Sequence, residues 1–451
     1  MGILSSLTRE QKEAVGLLQV GTFLEYFDLM LYMHMAVFLN EIFFPKTDPH
    51  TAALLSAFAF CSTFVLRPFG ALLFGYLGDN IGRKSTVIIT TMMMAISCIT
   101  IASLPTYAQI GISAAWIITG CRIVQGLSSM GEIIGAEIYL SELTKPPVRY
   151  PVVALIAFSS ALGTTISLAV ASLFTTSGLN WRIAFWIGAA IAVVGSIART
   201  RLRETSDFSE MKKRITNAVK HRQKKHIDSG EMYSLLGEKK VDKKTALAYF
   251  LSTSAWPACF YFAYIHCGVI LKNDFCFTAE QVIHQNFIVS IAGLLSCFFV
   301  SLVSYKIHPI KIAKLRFFMF FPFILLFPLL MKLYPYPNML FFVQVFSVSA
   351  ALSTIPAASV IIMYFPVFRR FTYTSAIYAL SRALIYIITS FGLVHLTKYF
   401  GHSGLLFIMV PISLSFFWGI CHFEKLEEKS GVLPKRKKIP PEIILSNNIF
   451  I

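Results

Sequence analysis

The chain has 451 residues, of which 56% are apolar and only 14% charged, and its mean hydropathy is +0.66. Because about a quarter of the residues in an ordinary globular domain are charged, this composition indicates an integral membrane protein. It excludes soluble enzymes, secreted scaffolds and disordered chains. At about 20 residues per span, the chain accommodates about twelve transmembrane helices and no second large soluble domain.

Long apolar runs predict the positions of the spans in two groups of six. The first group occupies residues 14–198, with spans at 14–38, 52–76, 85–104, 110–136, 151–176 and 183–198. The second group occupies residues 245–421, with spans at 245–270, 286–305, 315–331, 339–364, 372–396 and 403–421. Two such groups predict two parallel repeats related by an axis along the membrane normal.

The remaining segments are an N-terminus at 1–13, a basic connector at 199–244 and a basic tail at 422–451. These segments, together with alternate short loops, hold most of the 40 Lys and Arg residues. The opposite loops hold Lys46, Arg182, Lys272, Lys332 and Lys398. Since cytoplasmic loops carry the excess of basic residues, both termini are predicted to be cytoplasmic. The net charge of +17 is therefore interpreted as a topology signal, and the expected partner is a lipid bilayer rather than a nucleic acid.

Ionisable residues inside spans are costly and usually serve substrate or proton binding. At about 1.5 Å per residue, Asp28 and Arg122 both lie about 21 Å from the predicted cytoplasmic edge. Glu25, Arg67 and Arg382 lie about 15–16 Å from that edge. Both levels fall near the middle of a hydrocarbon core about 30 Å thick, so these charges are predicted to meet there.

Asp28 is the first candidate for proton coupling and Glu25 the second, with Arg122 as the cation that holds the carboxylate ionised. Drawing the arginine away would favour protonation of the acid, which links the proton to a conformational change. The alternative is a permanent buried pair that holds spans one and four together. Glu137 is placed at the cytoplasmic mouth of span four.

Candidate substrate-binding residues combine cations, polar groups and aromatic rings. Arginines can bind a carboxylate bidentately, and aromatic rings can cover a methylated ammonium group. The inventory fits a small zwitterion and equally a small dicarboxylate. The candidates are Tyr32, Arg67, Gln125, Glu132, Trp256, Tyr261, Tyr264, Tyr378 and Arg382.

Three motifs occur in order along the first half. GYLGDNIGRKS contains Gly75, Asp79, Gly82 and Arg83; RIVQG contains Arg122 and Gln125; and Glu142 precedes Arg149 by six intervening residues. With these motifs the sequence resembles the major facilitator superfamily. The segments LEYFDLMLY, LRPFGALLFGYLGDNIGRK, RIVQGLSSMGE, WRIAFWIG and ETSDF make it similar, within that superfamily, to the metabolite:proton symporter family and its proline/betaine transporters.

The resemblance implies an all-α polytopic fold of twelve transmembrane helices in two six-helix bundles with cytoplasmic termini. It further implies proton-coupled import of a small zwitterion or carboxylate such as proline or betaine by alternating access, in a bacterial inner membrane. The family pattern implies gating by Gly75, Asp79, Gly82, Arg83, Glu142 and Arg149. We expect a functional monomer whose partners are its substrate and protons.

The second half departs from the family pattern. Its counterpart of the Asp79 loop reads SYKIHPIKIAK, with Tyr305 about where an aspartate belongs, and Arg382 is an additional buried cation. An uncoupled facilitator or exchanger of a small dicarboxylate, or a membrane sensor that transports nothing, are therefore the alternatives. No GxxxxGK[ST], HExxH or GxSxG motif occurs, so we expect neither an enzyme nor a cofactor, and the eight cysteines are interpreted as core residues rather than metal ligands.

Overall fold

The protein is described here by a computed structural model covering residues 7–44, 64, 66–177, 180–199 and 241–434. The helices of its first half are α1 (Arg9–Phe43), α2 (Arg67–Asn80), α3 (Arg83–Ser103), α4 (Ile112–Leu143), α5 (Arg149–Ser177) and α6 (Arg182–Arg199). Those of its second half are α7 (Lys243–Asp274), α8 (Ala279–Val303), α9 (Pro309–Leu333), α10 (Pro337–Ser349), α11 (Arg370–Phe400) and α12 (Leu406–Lys429).

Apolar composition and length together indicate which helices can cross a bilayer. Eight helices among the described residues are long and apolar enough to do so. The all-helical membrane fold is therefore confirmed, whereas the count of twelve spans and the side of the termini stay predictions. The predicted residues 52–63 of span two and most of the connector lie outside the described residues.

Several helices extend further than the apolar runs that predicted them. Helix α1 begins at Arg9 rather than residue 14, and α4 continues to Leu143 rather than ending at residue 136. The predicted loop at 77–84 shrinks to a two-residue turn because α2 continues through Asn80. Gly82 makes that turn with φ +123°, a backbone angle that favours glycine. Hydrophobicity marks the buried part of each helix but not its polar ends.

Helix α10 is shorter than the span predicted from the sequence. The sequence predicted one span at 339–364, but α10 ends at Ser349 and residues 350–357 are not helical. Short helical turns at Ala358–Ile361 and Ile362–Tyr364 follow. Pro356 has no backbone N–H and disfavours a helical residue before it, which is consistent with the break.

Helix α7 is irregular at its centre. After Lys243–Thr253 and Ala255–Phe260, the residues Tyr261–His266 form a turn of π-helix before Cys267–Asp274 completes the span. Such turns occur often at functional sites because they change which side chains face a cavity.

The two halves meet along two pairs of helices, α2 with α11 and α5 with α8. The α2–α11 approach is very close, since a Cβ atom added at Gly75 would lie 2.8 Å from the Cα atom of Thr372, and one at Gly78 would overlap the ring of Phe371. Between α5 and α8, the hydroxyl of Thr165 donates to the carbonyl of Ser290 at 3.4 Å. Small residues allow such contacts between helices in a membrane.

Candidate substrate cavity and charge networks

A cavity lies between the two halves. The first half contributes residues of α1, α4 and α5 to its wall, and the second half contributes residues of α7, α8, the end of α10, the segment that follows it, and α11. Its described lining contains one acidic and one basic side chain, Glu137 and Arg382. Aromatic rings and hydroxyl groups form much of the rest, including Tyr26, Trp256, Phe260, Tyr264, Tyr378, Thr22, Ser160, Thr164, Thr253 and Ser353.

Arg382 is the cation of this cavity. Its guanidinium carbon lies 3.2 Å from the ring centroid of Tyr378, one turn earlier on α11, and 5.6 Å from that of Trp256 on α7. The residue is only 6% exposed, and its Nη1 atom has no hydrogen-bond partner among the described residues. A planar guanidinium held against two rings retains donors that can bind a carboxylate.

Glu137 is a functional candidate that the sequence patterns did not place in the site. Because α4 continues beyond residue 136, Glu137 is a buried residue on the cavity wall instead of the mouth of the span. Arg382 acts on it electrostatically across the boundary between the halves. A helix end predicted a few residues later would have placed this acid in the site.

Arg67 lies in a second charged cluster next to the cavity. Its guanidinium carbon stacks on the ring of Phe64 at 4.6 Å from the centroid, and that ring contacts Tyr386 at 4.3 Å. Glu25 and Arg382 lie within electrostatic range of the same guanidinium. The structure thus brings together the three residues of the second predicted level, and of these the described cavity lining includes Arg382 alone.

Asp28 and Arg122 are connected through two further side chains. The thiol of Cys98 on α3 donates to Oδ2 of Asp28 at 2.9 Å, and the amide of Gln125 donates to the Cys98 sulfur at 3.5 Å. Nη1 of Arg122 donates in turn to Oε1 of Gln125 at 2.9 Å. Cys98 is a buried core residue, as predicted, but it is also hydrogen-bonded, and no sequence pattern distinguishes a bonded thiol from a packed one. The interpretation as a core residue was wrong for Cys276, which is exposed.

Helix α6 closes over the Asp28 carboxylate. A Cβ atom added at Gly188 would lie 2.3 Å from Oδ1 of Asp28, so a larger residue there would require the carboxylate to move. Asp28, Cys98 and Gln125 are fully buried within the first half.

The motif residues bind the two halves together at one end of the bundle, which we call the motif end and define by Asp79, Glu142 and Arg370. The Asp79 carboxylate accepts hydrogen bonds from the backbone N–H groups of Phe371 and Thr372, at 3.3 and 2.8 Å, and from the Thr372 hydroxyl at 2.6 Å. It therefore caps the N-terminus of α11, where a helix has unsatisfied N–H groups and favours negative charge.

Glu142 forms a buried ion pair with Arg370 of the second half, with Oε1 and Nη1 2.8 Å apart. Arg149, the other member of the ExxxxxxR pattern, donates from Nε to the carbonyl of Thr144 at 2.8 Å. The spacing in the sequence did not reveal that the partner of Glu142 comes from the start of α11. The available signal was the arginine at the start of α11, Arg370 itself.

The corresponding loop of the second half uses different residues. Tyr305 is 38% exposed, and the imidazole of His308 instead hydrogen-bonds Glu427 of α12 at 3.1 Å. The hydroxyl of Tyr364 donates to the same carboxylate at 2.5 Å. The Tyr150 ring of the first half packs edge-on against His308 at 5.5 Å. The contact between the halves at this loop thus includes an aromatic pair.

Other predicted residues fall elsewhere. Tyr261 and Tyr264 of the π-turn belong to the same apolar core cluster, and of the two the described cavity lining includes only Tyr264. Gln125 bonds the charge network of Asp28. The side chains of Tyr32, Glu132 and Arg83 lie outside the described residues.

Comparison with known proteins assigns the class. The sequence profile of the family described as "Sugar (and other) transporter" matches residues 17–273, more than half of the chain. The chain belongs to this family, which is a branch of the major facilitator superfamily.

Among individual relatives, the proline/betaine transporter of Escherichia coli (strain K12) is 32% identical over 206 residues, which cover 44% of this chain and 41% of that protein. The inner membrane metabolite transport protein YhjE of the same strain is 36% identical over 204 residues, covering 43% of this chain and 46% of that protein. The chain thus matches less than half the length of these curated relatives.

Solved structures share the fold over almost the whole chain. The proton:xylose symporter XylE bound to 6-bromo-6-deoxy-D-glucose superposes with a TM-score of 0.70 at 14% identity, covering 94% of this chain and 96% of that one. The human organic anion transporter MFSD10 superposes with a TM-score of 0.65 at 15% identity, covering 92% of this chain and all of that one. At these identities the similarity is one of fold.

Proposed function

We propose that the protein is a proton-coupled secondary transporter that imports a small zwitterionic or carboxylate metabolite, such as proline or a betaine, by alternating access. The observation that supports it most is the central cavity, which presents Arg382 between Tyr378 and Trp256 at the boundary of the two halves. The guanidinium fits a carboxylate and the surrounding rings fit a substituted ammonium group. The similarity to proline/betaine transporters points to the same class of substrate.

Proton coupling is assigned to the network of Asp28 and Arg122, with Glu25 beside Arg67 as the second acidic candidate. A buried carboxylate is stable as an ion only while hydrogen bonds and a nearby cation offset its burial. Movement of α3 or α4 relative to α1 changes this support. Protonation of Asp28 is thereby linked to conformation, since each state of the protein has its own affinity for the proton.

Gating is assigned to the motif end. The bonds of Asp79 and Glu142 to α11 hold the halves together there, and Gly75 and Gly82 allow the close approach and the tight turn. Opening this end requires these bonds to break, which exposes the cavity to that side. Arg83 and Arg149 are assigned to the same gate. We place the protein as a functional monomer in a bacterial inner membrane with the motif end towards the cytoplasm.

The test is uptake by the full chain in proteoliposomes, with radiolabelled proline and glycine betaine and an imposed pH gradient. We expect accumulation when the outside is acidic. Asp28→Asn, which cannot exchange a proton, is expected to lose gradient-driven accumulation by tenfold or more while retaining counterflow of the same substrate. Asp274→Asn removes an exposed carboxylate at the end of α7 and serves as the matched control.

Uptake that ignores the gradient and is unchanged by Asp28→Asn would contradict coupling and favour the uncoupled exchanger. Counterflow competed by succinate rather than by proline or betaine would favour a dicarboxylate substrate. Binding without counterflow of any probe would indicate a sensor and refute transport.

A further inference from the structure

Glu137 and Arg382 are the two charged side chains among the described lining of the central cavity, and they belong to different halves. Glu137 projects from α4 and is 7% exposed, while Arg382 projects from α11 and is 6% exposed. Arg382 is the cation that acts on Glu137 electrostatically. The charge of the acid is therefore offset from across the cavity, at the place where a ligand has to bind.

The other titratable groups around Glu137 are phenols, together with the thiols of Cys259 and Cys297 in the cavity lining. Tyr249 of α7 and Tyr378 of α11 lie within electrostatic range, and Tyr26 of α1 lines the same cavity. Phenols are ordinarily uncharged near neutral pH. None of these neighbours is a cation that could offset the charge of Glu137 when Arg382 binds another anion.

A ligand carboxylate on Arg382 changes the balance at Glu137. Two carboxylates that share one buried guanidinium repel each other, and removing an ion from water is costly unless its charge is paired. Uptake of one proton by Glu137 removes the repulsion, because like charges at one site raise the proton affinity of one of them. Substrate binding and proton binding then occur together in the same cavity.

We propose that Glu137 is a substrate-linked proton acceptor of the transport cycle, which binds one proton when an anionic group of the substrate occupies Arg382. The proton comes from water on the side to which the cavity is open and forms an O–H bond with a carboxylate oxygen of Glu137. It returns to water on the other side once the substrate has left Arg382. This inference rests on the proposed transport function and adds a second titrating site to that of Asp28, which lies inside the first half.

The test is equilibrium binding of glycine betaine and proline to the purified full chain between about pH 5.5 and about 8.5, followed by tryptophan fluorescence and calorimetry. If binding takes up a proton, the affinity falls as the pH rises. The dissociation constant is expected to increase up to about tenfold per pH unit over the range in which Glu137 is ionised without ligand and protonated with it.

Glu137→Gln imitates the protonated acid, so its dissociation constant is expected to keep only the pH dependence that Asp28 contributes and, at high pH, to be several-fold lower than that of the unmodified protein. Glu137→Asp retains an acid and should keep the pH dependence, which covers the case that the glutamine variant does not fold. Glu280→Gln, which removes an exposed carboxylate at the start of α8, is the matched control and should behave as the unmodified protein.

An unchanged pH dependence in a folded Glu137→Gln protein overturns the inference and leaves the proposed function standing. So does loss of binding at every pH in that variant, because Glu137 would then contact a cationic group of the substrate instead of taking up a proton. An unmodified protein that neither binds nor transports the probes refutes the proposed function itself, and the inference with it.

Discussion

The Cys98 thiol shows how a single residue can set the properties of a buried acid. It donates to Asp28 and accepts from Gln125, so it connects the carboxylate of α1 with the arginine of α4 through a residue of α3. A thiol is a weak donor, yet a hydrogen bond to a charged group in a buried site contributes about 1.5–3 kcal/mol. Cys98 is therefore a positioning residue for Asp28.

Replacing Cys98 by alanine removes one bond that favours the ionised carboxylate. We expect the pH at which gradient-driven uptake is half-maximal to move upward by about 1–2 units, because the remaining acid binds a proton more readily. Cys98→Ser keeps a donor and should stay closer to the original profile. The measurement is initial uptake in proteoliposomes over a pH series.

Cys267→Ala is the matched control, since Cys267 is equally buried but lies in the apolar core of the second half. Identical pH profiles for the two alanine variants would show that Cys98 does not position Asp28.

At the scale of one element, the π-turn of α7 is supported by buried amides from two neighbouring helices. Gln344 of α10 donates to the carbonyl of Ala263 at 2.7 Å and to Asn286 of α8 at 3.1 Å. Asn286 donates to the carbonyl of Tyr264 at 3.4 Å, and Gln285 donates to Gln344 at 2.6 Å. These bonds satisfy backbone groups of the widened turn inside a membrane, where they have no water to bind.

Gln344→Leu is expected to destabilise the protein by about 1–3 kcal/mol, because the carbonyl of Ala263 and the amides of Asn286 and Gln285 all lose a partner. In detergent this should appear as a melting temperature several degrees below that of the unmodified chain. It should also weaken substrate counterflow, since Tyr264 lines the cavity.

Asn338→Leu makes a similar exchange at an exposed position near the start of the same helix. Equal melting temperatures for the two variants would contradict a role of Gln344 in supporting the turn.

For the molecule as a whole, the motif end joins the halves through a capped helix and a buried ion pair. The Asp79 carboxylate accepts hydrogen bonds from the first turn of α11, and Glu142 forms an ion pair with Arg370, the first residue of that helix. Removing one partner of a buried pair is strongly destabilising, by about 3–5 kcal/mol, because the other charge is left uncompensated. Weakening this end should therefore shift the protein towards states in which the end is open.

Arg370→Gln is expected to increase, several-fold, the labelling of Cys297 in the cavity by a membrane-impermeant maleimide added at the motif end. The exchanged pair Glu142→Arg with Arg370→Glu should return labelling towards the original rate. Peptide mass spectrometry distinguishes Cys297 from the other cysteines.

Lys314→Gln is the control, because it breaks the ion pair between Lys314 and Glu424 that lies entirely within the second half. If this variant increases labelling as much as Arg370→Gln does, the motif end is not the gate.

Sequence patterns predicted the order of the helices and the charged residues that are buried. They also predicted that Glu25, Arg67 and Arg382 lie at a similar depth in the membrane. These follow from hydrophobicity and from the fixed rise of a helix. The patterns missed Glu137, because an apolar run ends before the helix does, and they missed Cys98, because a bonded thiol and a packed thiol share one letter. The partner of Glu142 depends on contact between the halves, which no local pattern reports.

The widened turn at Tyr261–His266 also changes how α7 should be mapped. A π-helical turn contains one residue more than an α-helical turn. Relative to a continuous α-helix, the side chains after it are therefore rotated by about 100° around the helix axis. A helical-wheel projection that treats α7 as one continuous α-helix therefore assigns Ile270 and its neighbours to the wrong face. Scanning libraries or cross-linking pairs for the outer part of this span need to be counted from His266 onward, separately from the stretch that begins at Lys243.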